Sequence, residues 1–333
     1  MRHDIDHVDR ALAAYDAFRG APSRLAVVAD DEGTFVVPLR FRQNPGGSTD
    51  AASSEVRSAP IFTEGTSGEW RHEAICELLD FLQLRGVASL FLRFHPLLDS
   101  SPIQFARLGA VVKHGPTYDI PLNRPLEQIR ADMRRNHRRG IRKFRAEGFV
   151  CKPDTDWHHL PEFHELYSLT MDRVAARPEY RFTLAFFEQL RHALGDKIAL
   201  WVTEVDGRLA MGHIVTECDG IAQALYAGIH PAYQKQVPQI GLYDSELQWA
   251  HEQGCRDYFF DGGDHESLRH FKEGITKVQP NAASARIIVD PVEYGRLCAQ
   301  WELDTQRVVG RADGYFPPYL QPAGQAMSEP AHV

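Results

Sequence analysis

The sequence predicts an α+β chain of two tandem domains built on one plan, each a mixed and mostly antiparallel sheet flanked by helices. Three observations predict it. Ile75, Leu79 and Leu82 share one face of a helix that stops at Gly86 and leads into a strand-like run from Ser89 to Phe94. After 168 positions (243 − 75), Tyr243, Leu247, Ala250 and Gly254 repeat that spacing and lead into Asp257 to Asp261. Positions i, i+4 and i+7 line one stripe of a 3.6-residue helix, and the glycine allows the left-handed turn that ends it. Upstream, residues 25–39 are echoed by residues 200–214, with Gly33 set against Gly207 at an offset of 174 (207 − 33). Each reads as two strands joined by a tight acidic-Gly turn. Two echoes in the same order at nearly equal offsets mark a duplication. The third observation is length, since 333 residues suffice for two separate cores.

Along the chain, the amphipathic stretch 4–18 predicts a first helix, followed by the first hairpin. Residues 44–60, rich in small and polar side chains, read as a loop. The first copy of the repeated helix spans 69–85, and residues 111–122 read as a strand closing the first domain. Residues 125–147 form one basic helix, with Pro125 suited to its first turn. Helices follow at 157–176 and 184–194, then three successive strands at 198–205, 208–218 and 221–229. The second copy of the helix covers 240–253, and a last strand covers 283–289. Residues 292–309 suggest one more helix before a mobile, Pro-rich end. The expected domains are therefore 1–122 and 123–290, with 291–333 as helix and tail.

Composition describes a soluble globular protein, with 43% hydrophobic and 25% charged residues. No apolar run approaches the roughly 20 residues that span a bilayer, and the polar N-terminus lacks a signal-peptide core. Membrane insertion is thus not expected. Cys76, Cys151, Cys218, Cys255 and Cys298 are odd in number and scattered, which fits reduced thiols in a cytoplasm. A net charge of −8 argues against a wholly basic nucleic-acid binder but leaves room for a local cationic patch.

Three antiparallel strands, a helix, a glycine and another strand is the order of the GNAT acyltransferase core. The stretches RADMRRNHRRGIRKFRAEGFV (130–150), FHELYSLTMDRVAARPEYRF (163–182) and YFFDGGDHESLRHFKEG (258–274) resemble the FemABX-like family of tandem-GNAT transferases. The resemblance implies a degenerate GNAT-like first domain and a second that carries the donor site. It also implies acyl transfer to an amine, from aminoacyl-tRNA in the peptide-bond-forming members and from acyl-CoA in other GNAT proteins.

The donor question turns on Gln236-Val237-Pro238-Gln239-Ile240-Gly241. A CoA-binding loop cradles diphosphate on the N–H groups of a glycine-rich turn at a helix N-terminus. Here a glycine position holds Gln239, Pro238 has no N–H, and only Gly241 remains. Gln236, Gln239, Gly241 and Lys272 are the expected donor-binding residues. In the basic run, Arg130, Arg134, Arg138 and Arg142 fall four apart, with Arg135, Arg139 and Lys143 beside them. Like charges so placed repel unless anions meet them, so the face is a candidate phosphate surface for tRNA or a nucleotide-linked acceptor. The bland alternative is arginines paired to internal carboxylates.

Aminolysis of an activated ester needs a neutral amine, a placed carbonyl and stabilisation of the developing oxyanion. Asp261, at a strand end before Gly262-Gly263, is a candidate to orient the amine or take its proton, against the reading of a turn cap. His265 is a candidate proton shuttle, and Tyr226 a candidate hydroxyl on the central strand. The resemblance places Lys272, in Phe271-Lys272-Glu273-Gly274, near the donor. It places Arg173, Arg177 and Tyr180 at the acceptor, where the arginines could clamp a carboxylate or phosphate. The acids and histidines of 261–270 fit neither a zinc nor a calcium spacing, and no metal is expected. These residues predict a cytoplasmic aminoacyltransferase that forms an amide, with aminoacyl-tRNA as co-substrate, no bound cofactor, and an amine of a small molecule or cell-wall precursor as acceptor. An acyl-CoA-dependent N-acyltransferase and a non-catalytic binding module are the rival readings.

Overall fold

A computed structural model describes residues 1–55, 57–263, 266–309 and 314–321, and the chain divides into two units. The first comprises Met1–Asp16, Gly20–Pro116 and Asn281–Val333; the second comprises Ala17–Arg19 and Thr117–Pro280. Each is a mixed sheet with helices against it, as the duplication predicts.

In the first unit, β1 (Ser23–Ala29) and β2 (Thr34–Gln43) form the hairpin, and β3 (Thr49–Ser53) continues it antiparallel. The short β4 (Ile61–Phe62) also pairs with β2, and α2 (Gly68–Leu84) then crosses over to β5 (Val87–Phe94), which runs parallel to β3. Phe35, Val37 and Leu39 of β2 meet Ile75, Leu78 and Leu82 of α2 in the core, because alternate strand positions and helical i, i+3, i+7 positions face one another. The helices α1 (Asp9–Arg19) and α3 (Pro102–Phe105) and the strand β6 (Ala110–Pro116) complete the part before the second unit.

The second unit has the strand order β7-β12-β11-β10-β9-β8. Its elements are β7 (Asp119–Pro121), α4 (Leu126–Asp132), α5 (Arg135–Ala146), β8 (Cys151–Pro153), α6 (Leu160–Arg173), α7 (Leu184–Leu194), β9 (Ile198–Val205), β10 (Arg208–Cys218), β11 (Ile221–Ile229), α8 (Ile240–Glu252), β12 (Asp257–Phe259) and α9 (Glu266–Glu273). The strands β9, β10 and β11 are antiparallel, and α8 crosses from β11 to a parallel β12. This is the plan of the first unit again. Gly86 and Gly254 end the two repeated helices at the same φ of 73°, the left-handed turn that glycine adopts without strain.

Several expectations need correction. The last strand, β13 (Asn281–Ile288), pairs with β5 and β6 in the first sheet rather than closing the second domain. Residues 111–122 are two strands, β6 in the first sheet and β7 in the second. The expected domains 1–122, 123–290 and 291–333 therefore give way to a division at 116/117 and 280/281. The presumed loop 44–60 contains β3. The first helix begins at Asp9, after a single 3-10 turn at Ile5–His7. The last helix, α10 (Pro291–Thr305), is followed by residues that pack on the first unit: Phe316 lies 6.4 Å from Phe91, and the Tyr319 hydroxyl donates to Asp50 at 2.7 Å. The rest of the expected mobile tail lies outside the described residues.

At the start of the first unit, Asp4 and Asp6 are both buried, with Arg57 Nε 3.8 and 3.7 Å away. Burial works against the Asp4 charge, but His95 at 3.1 Å and Arg57 outweigh it and hold Asp4 at about 2. For Asp6 burial wins over Arg57 and raises the group to about 6. A carboxyl raised in the folded state stabilises most below its unfolded value of 3.8 and loses that contribution as pH rises through 6. Asp6→Asn is therefore expected to be more stable than wild type at pH 7.5, by about 1–3 kcal/mol. Urea unfolding should show the gap closing between pH 6 and pH 4.

Candidate active site

The second unit's sheet opens at one place. Strand β11 pairs with β12 only from Ile221 to Gln223, although it stays paired with β10 as far as Ile229. A bulge interrupts β10–β11 between Ile214 and Val215, and such an extra residue re-aims the side chains beyond it. Among the described residues, the β11–β12 ladder ends at Gln223. From the end of β11 the chain passes through a 3-10 turn at Pro231–Tyr233 into the loop that enters α8. Arg173 from the end of α6, Met211, Ile229, Gln234, Val237 and Gln239 line a cavity of about 240 Å³ there. Arg173, expected at the acceptor, and Gln239, expected at the donor, thus share one cavity lined by three apolar side chains, two amides and a guanidinium.

The entrance to α8 is closed by α5. A Cβ on Gly241 would lie 2.2 Å from the Phe144 ring, and one on Gly140 would lie 2.7 Å from Ile240 Cγ2. Each glycine is there so that two helices can touch. The Gly241 N–H donates to Pro238 O at 2.9 Å and the Leu242 N–H to Gln239 O at 3.1 Å. The carbonyl of Gln236 accepts from Lys143 Nζ at 3.2 Å. Gly241 therefore answers to packing, and two amides of this turn are already bonded within it.

The basic run is not one helix. Met133, buried, adopts extended geometry (φ −63°, ψ 150°) between α4 and α5, and the Arg134 N–H bonds to Gly274 O at 2.7 Å. The break separates the expected stripes. Arg130 grips the buried Asp244 through Nε at 2.6 Å and Nη2 at 3.2 Å, and Arg145 reaches the same carboxylate at 2.6 Å. Arg134 donates to the His270 carbonyl at 2.9 Å and lies 3.5 Å from Glu273. Arg138 donates to Ala131 O at 2.7 Å, and Lys143 also approaches Glu147 at 3.7 Å. Arg135, Arg139 and Arg142 are exposed, with no acceptor among the described residues. They fall at i, i+4 and i+7 of α5, with Arg138 between them, so one solvent face of the helix carries them all.

Of the expected catalytic residues, Asp261 and Lys272 come together, but in the turn after β12. Lys272 is buried on α9, and its Nζ donates to the carbonyls of Phe260 and Gly262, with Asp261 O at 3.4 Å. Asp261 has a φ of 53°, its Oδ1 accepts the Gly262 N–H at 2.8 Å, and its carbonyl accepts from Tyr118 at 3.1 Å. These two residues brace the turn after β12. Tyr226, beyond the bulge, lies edge-on to Phe182 and Phe187, both at 5.2 Å, and to Tyr167 at 6.0 Å. Arg177 stacks on Tyr180 at 5.3 Å and pairs with Glu179 at 3.2 Å. His265 lies outside the described residues.

One group escaped sequence reasoning. His213 of β10 and Glu246 of α8 are fully buried, with His213 Nδ1 3.0 Å from Glu246 Oε1. The Tyr258 hydroxyl donates to the same carboxylate. Burial, reinforced by the Glu246 charge, pushes the Tyr258 hydroxyl well above its ordinary range, so it stays a donor. A signal was present for His213, a lone His inside the apolar run 209–215, but not for Glu246, which follows Asp244 and Ser245.

Residues 131–273 match the family described as an acetyltransferase (GNAT) domain. No curated protein matches the chain. Among solved structures, FemX is similar with a TM-score of 0.68 at 14% identity, over 89% of this chain and 98% of that one. The C-terminal domain of a putative lysylphosphatidylglycerol synthetase from Agrobacterium fabrum gives 0.58 at 12% identity, over 90% and 93%. A conserved protein of unknown function from Bacteroides thetaiotaomicron gives 0.59 at 11% identity, over 86% and 92%. At such identities the likeness is one of fold. Among the described residues, no helix is long and apolar enough to cross a membrane.

Proposed function

We propose that this chain, which carries a GNAT-domain match and a fold similar to that of FemX, is a FemABX-like transferase that moves an aminoacyl group from aminoacyl-tRNA to an amine and forms an amide. The observation that carries this reading is the α8 entrance, where Phe144 lies on Gly241 and two amides of the turn are bonded to loop carbonyls. A diphosphate needs such amides free. The carrier's phosphates would instead meet Arg135, Arg138, Arg139 and Arg142 on the outer face of α5. The end of β11, past its pairing with β12, would lie beside the ester carbonyl, where peptide dipoles can stabilise oxyanion charge as the amine attacks. Arg173 at the cavity would hold a carboxylate or phosphate of a small-molecule or nucleotide-linked acceptor.

The test is product formation with purified chain, an amine acceptor, and either charged tRNA or acyl-CoA, with and without ribonuclease. Amide that forms only with charged tRNA and disappears with ribonuclease supports the proposal. Ribonuclease-insensitive transfer from acyl-CoA overturns it. Vesicles containing phosphatidylglycerol belong in the acceptor panel, because one structural relative is a putative lysylphosphatidylglycerol synthetase.

A further inference from the structure

Between β8 and α6, Asp154, His158 and His159 each turn a ligand atom toward the same point, with all three atoms within 4.8 Å of one another. Asp154 is buried, fixed to the sheet by its N–H on Leu200 O at 2.7 Å, and its Oδ2 accepts the His159 N–H at 2.9 Å. His158 Nδ1 stands 3.3 Å from Asp154 Oδ1, and His159 Nδ1 stands 3.1 Å from Oδ2. The two imidazole rings lie 4.5 Å apart. Just before them, Trp157 takes a φ of 59°, in which L side chains are rarely found, at the bend that precedes the two consecutive histidines.

We propose that this is a binding site for a divalent transition-metal ion of the zinc type. Around zinc, bonds of about 2.0–2.1 Å put neighbouring tetrahedral donors roughly 3.3 Å apart, close to the two Asp–His separations seen. Imidazole with carboxylate is a donor set suited to zinc. The other nitrogen of His159, Nε2, faces Glu204 Oε2 at 4.0 Å, and Lys152 holds Glu204 at 3.5 Å. A metal ion here would replace the hydrogen bond that joins His159 Nδ1 to Asp154 Oδ2 at 3.1 Å. A water fills the fourth position. The site lies at the start of α6 and Arg173 at its end, 14 residues on, so about 20 Å of helix separates it from the acyl-transfer cavity.

The experiment is titration of chelator-treated full-length chain with Zn²⁺ by calorimetry, and with Co²⁺ by visible absorption. The expected result is one ion per chain, four-coordinate Co²⁺ bands, and affinity about tenfold or more weaker in both His158→Ala and His159→Ala. The His158 side chain is 67% exposed, so its removal leaves the fold intact and reads the ligand alone. No stoichiometric uptake by the wild type, or uptake unchanged in both variants, would overturn the site and leave Asp154 as a cap for α6.

Discussion

Reversing the open arginines together, with Arg135→Glu, Arg139→Glu and Arg142→Glu, is expected to lower tRNA-dependent product formation at limiting tRNA by on the order of 100-fold. The three guanidiniums are exposed on one face of α5, and no carboxylate or carbonyl of the described residues holds them. In water such a face gains little from the protein itself and repels internally. Each contact with a nucleic-acid phosphate releases a counterion, so losing three should flatten the log–log dependence of tRNA affinity on salt by about 2–3 units. The loss should appear in KM for tRNA, because these contacts are the same in ground and transition states. Arg130→Ala makes a contrasting control. Its guanidinium is committed to Asp244, so it should weaken folding and leave the salt slope unchanged. A triple reversal with unchanged KM and unchanged salt slope would remove α5 from the tRNA surface.

What the sequence discloses, and what it withholds, follows from the range of the forces involved. The two hairpins and the two helix–glycine–strand units were legible because period, turn and cap are set within about twenty residues. Strand β3, with the sequence Thr-Asp-Ala-Ala-Ser, has no such signature; parallel pairing with β5 selects it. The break at Met133 has no proline or glycine to announce it. It arises because Met133 must enter the core while Arg134 bonds to Gly274, 140 positions away (274 − 134). The sheet to which β13 belongs is likewise a matter of distant partners. At the site, glycine carried the wrong meaning: Gly241 looked like the remnant of a phosphate loop, whereas it makes room for Phe144. The charge run left two readings open, a phosphate surface or internal pairing, and the structure pairs Arg130 and Arg145 with Asp244 while Arg135, Arg139 and Arg142 are exposed. Which arginine went where depended on Asp244, an acid 114 residues from Arg130.

Glu246→Ala should have the larger effect on stability, about 2–5 kcal/mol, because it leaves two buried partners without their shared hydrogen-bond acceptor. Glu246 is wholly buried between α8 and the sheet, and its carboxylate answers His213 Nδ1 at 3.0 Å and the Tyr258 hydroxyl. Alanine would strand both groups in the core, and a stranded polar group loses its hydration without a replacement bond. Since the three residues come from β10, α8 and β12, the loss would loosen the helix from two strands of the sheet. Tyr258→Phe should cost less, about 1–3 kcal/mol, because it deletes the donor and leaves an acceptor that still faces His213. The double variant should fall short of the sum, as residues sharing one network do not act independently. Urea unfolding at constant pH measures all three, and Glu246→Ala within 1 kcal/mol of wild type would show that water reaches the carboxylate and that the network does not fasten α8 to the sheet.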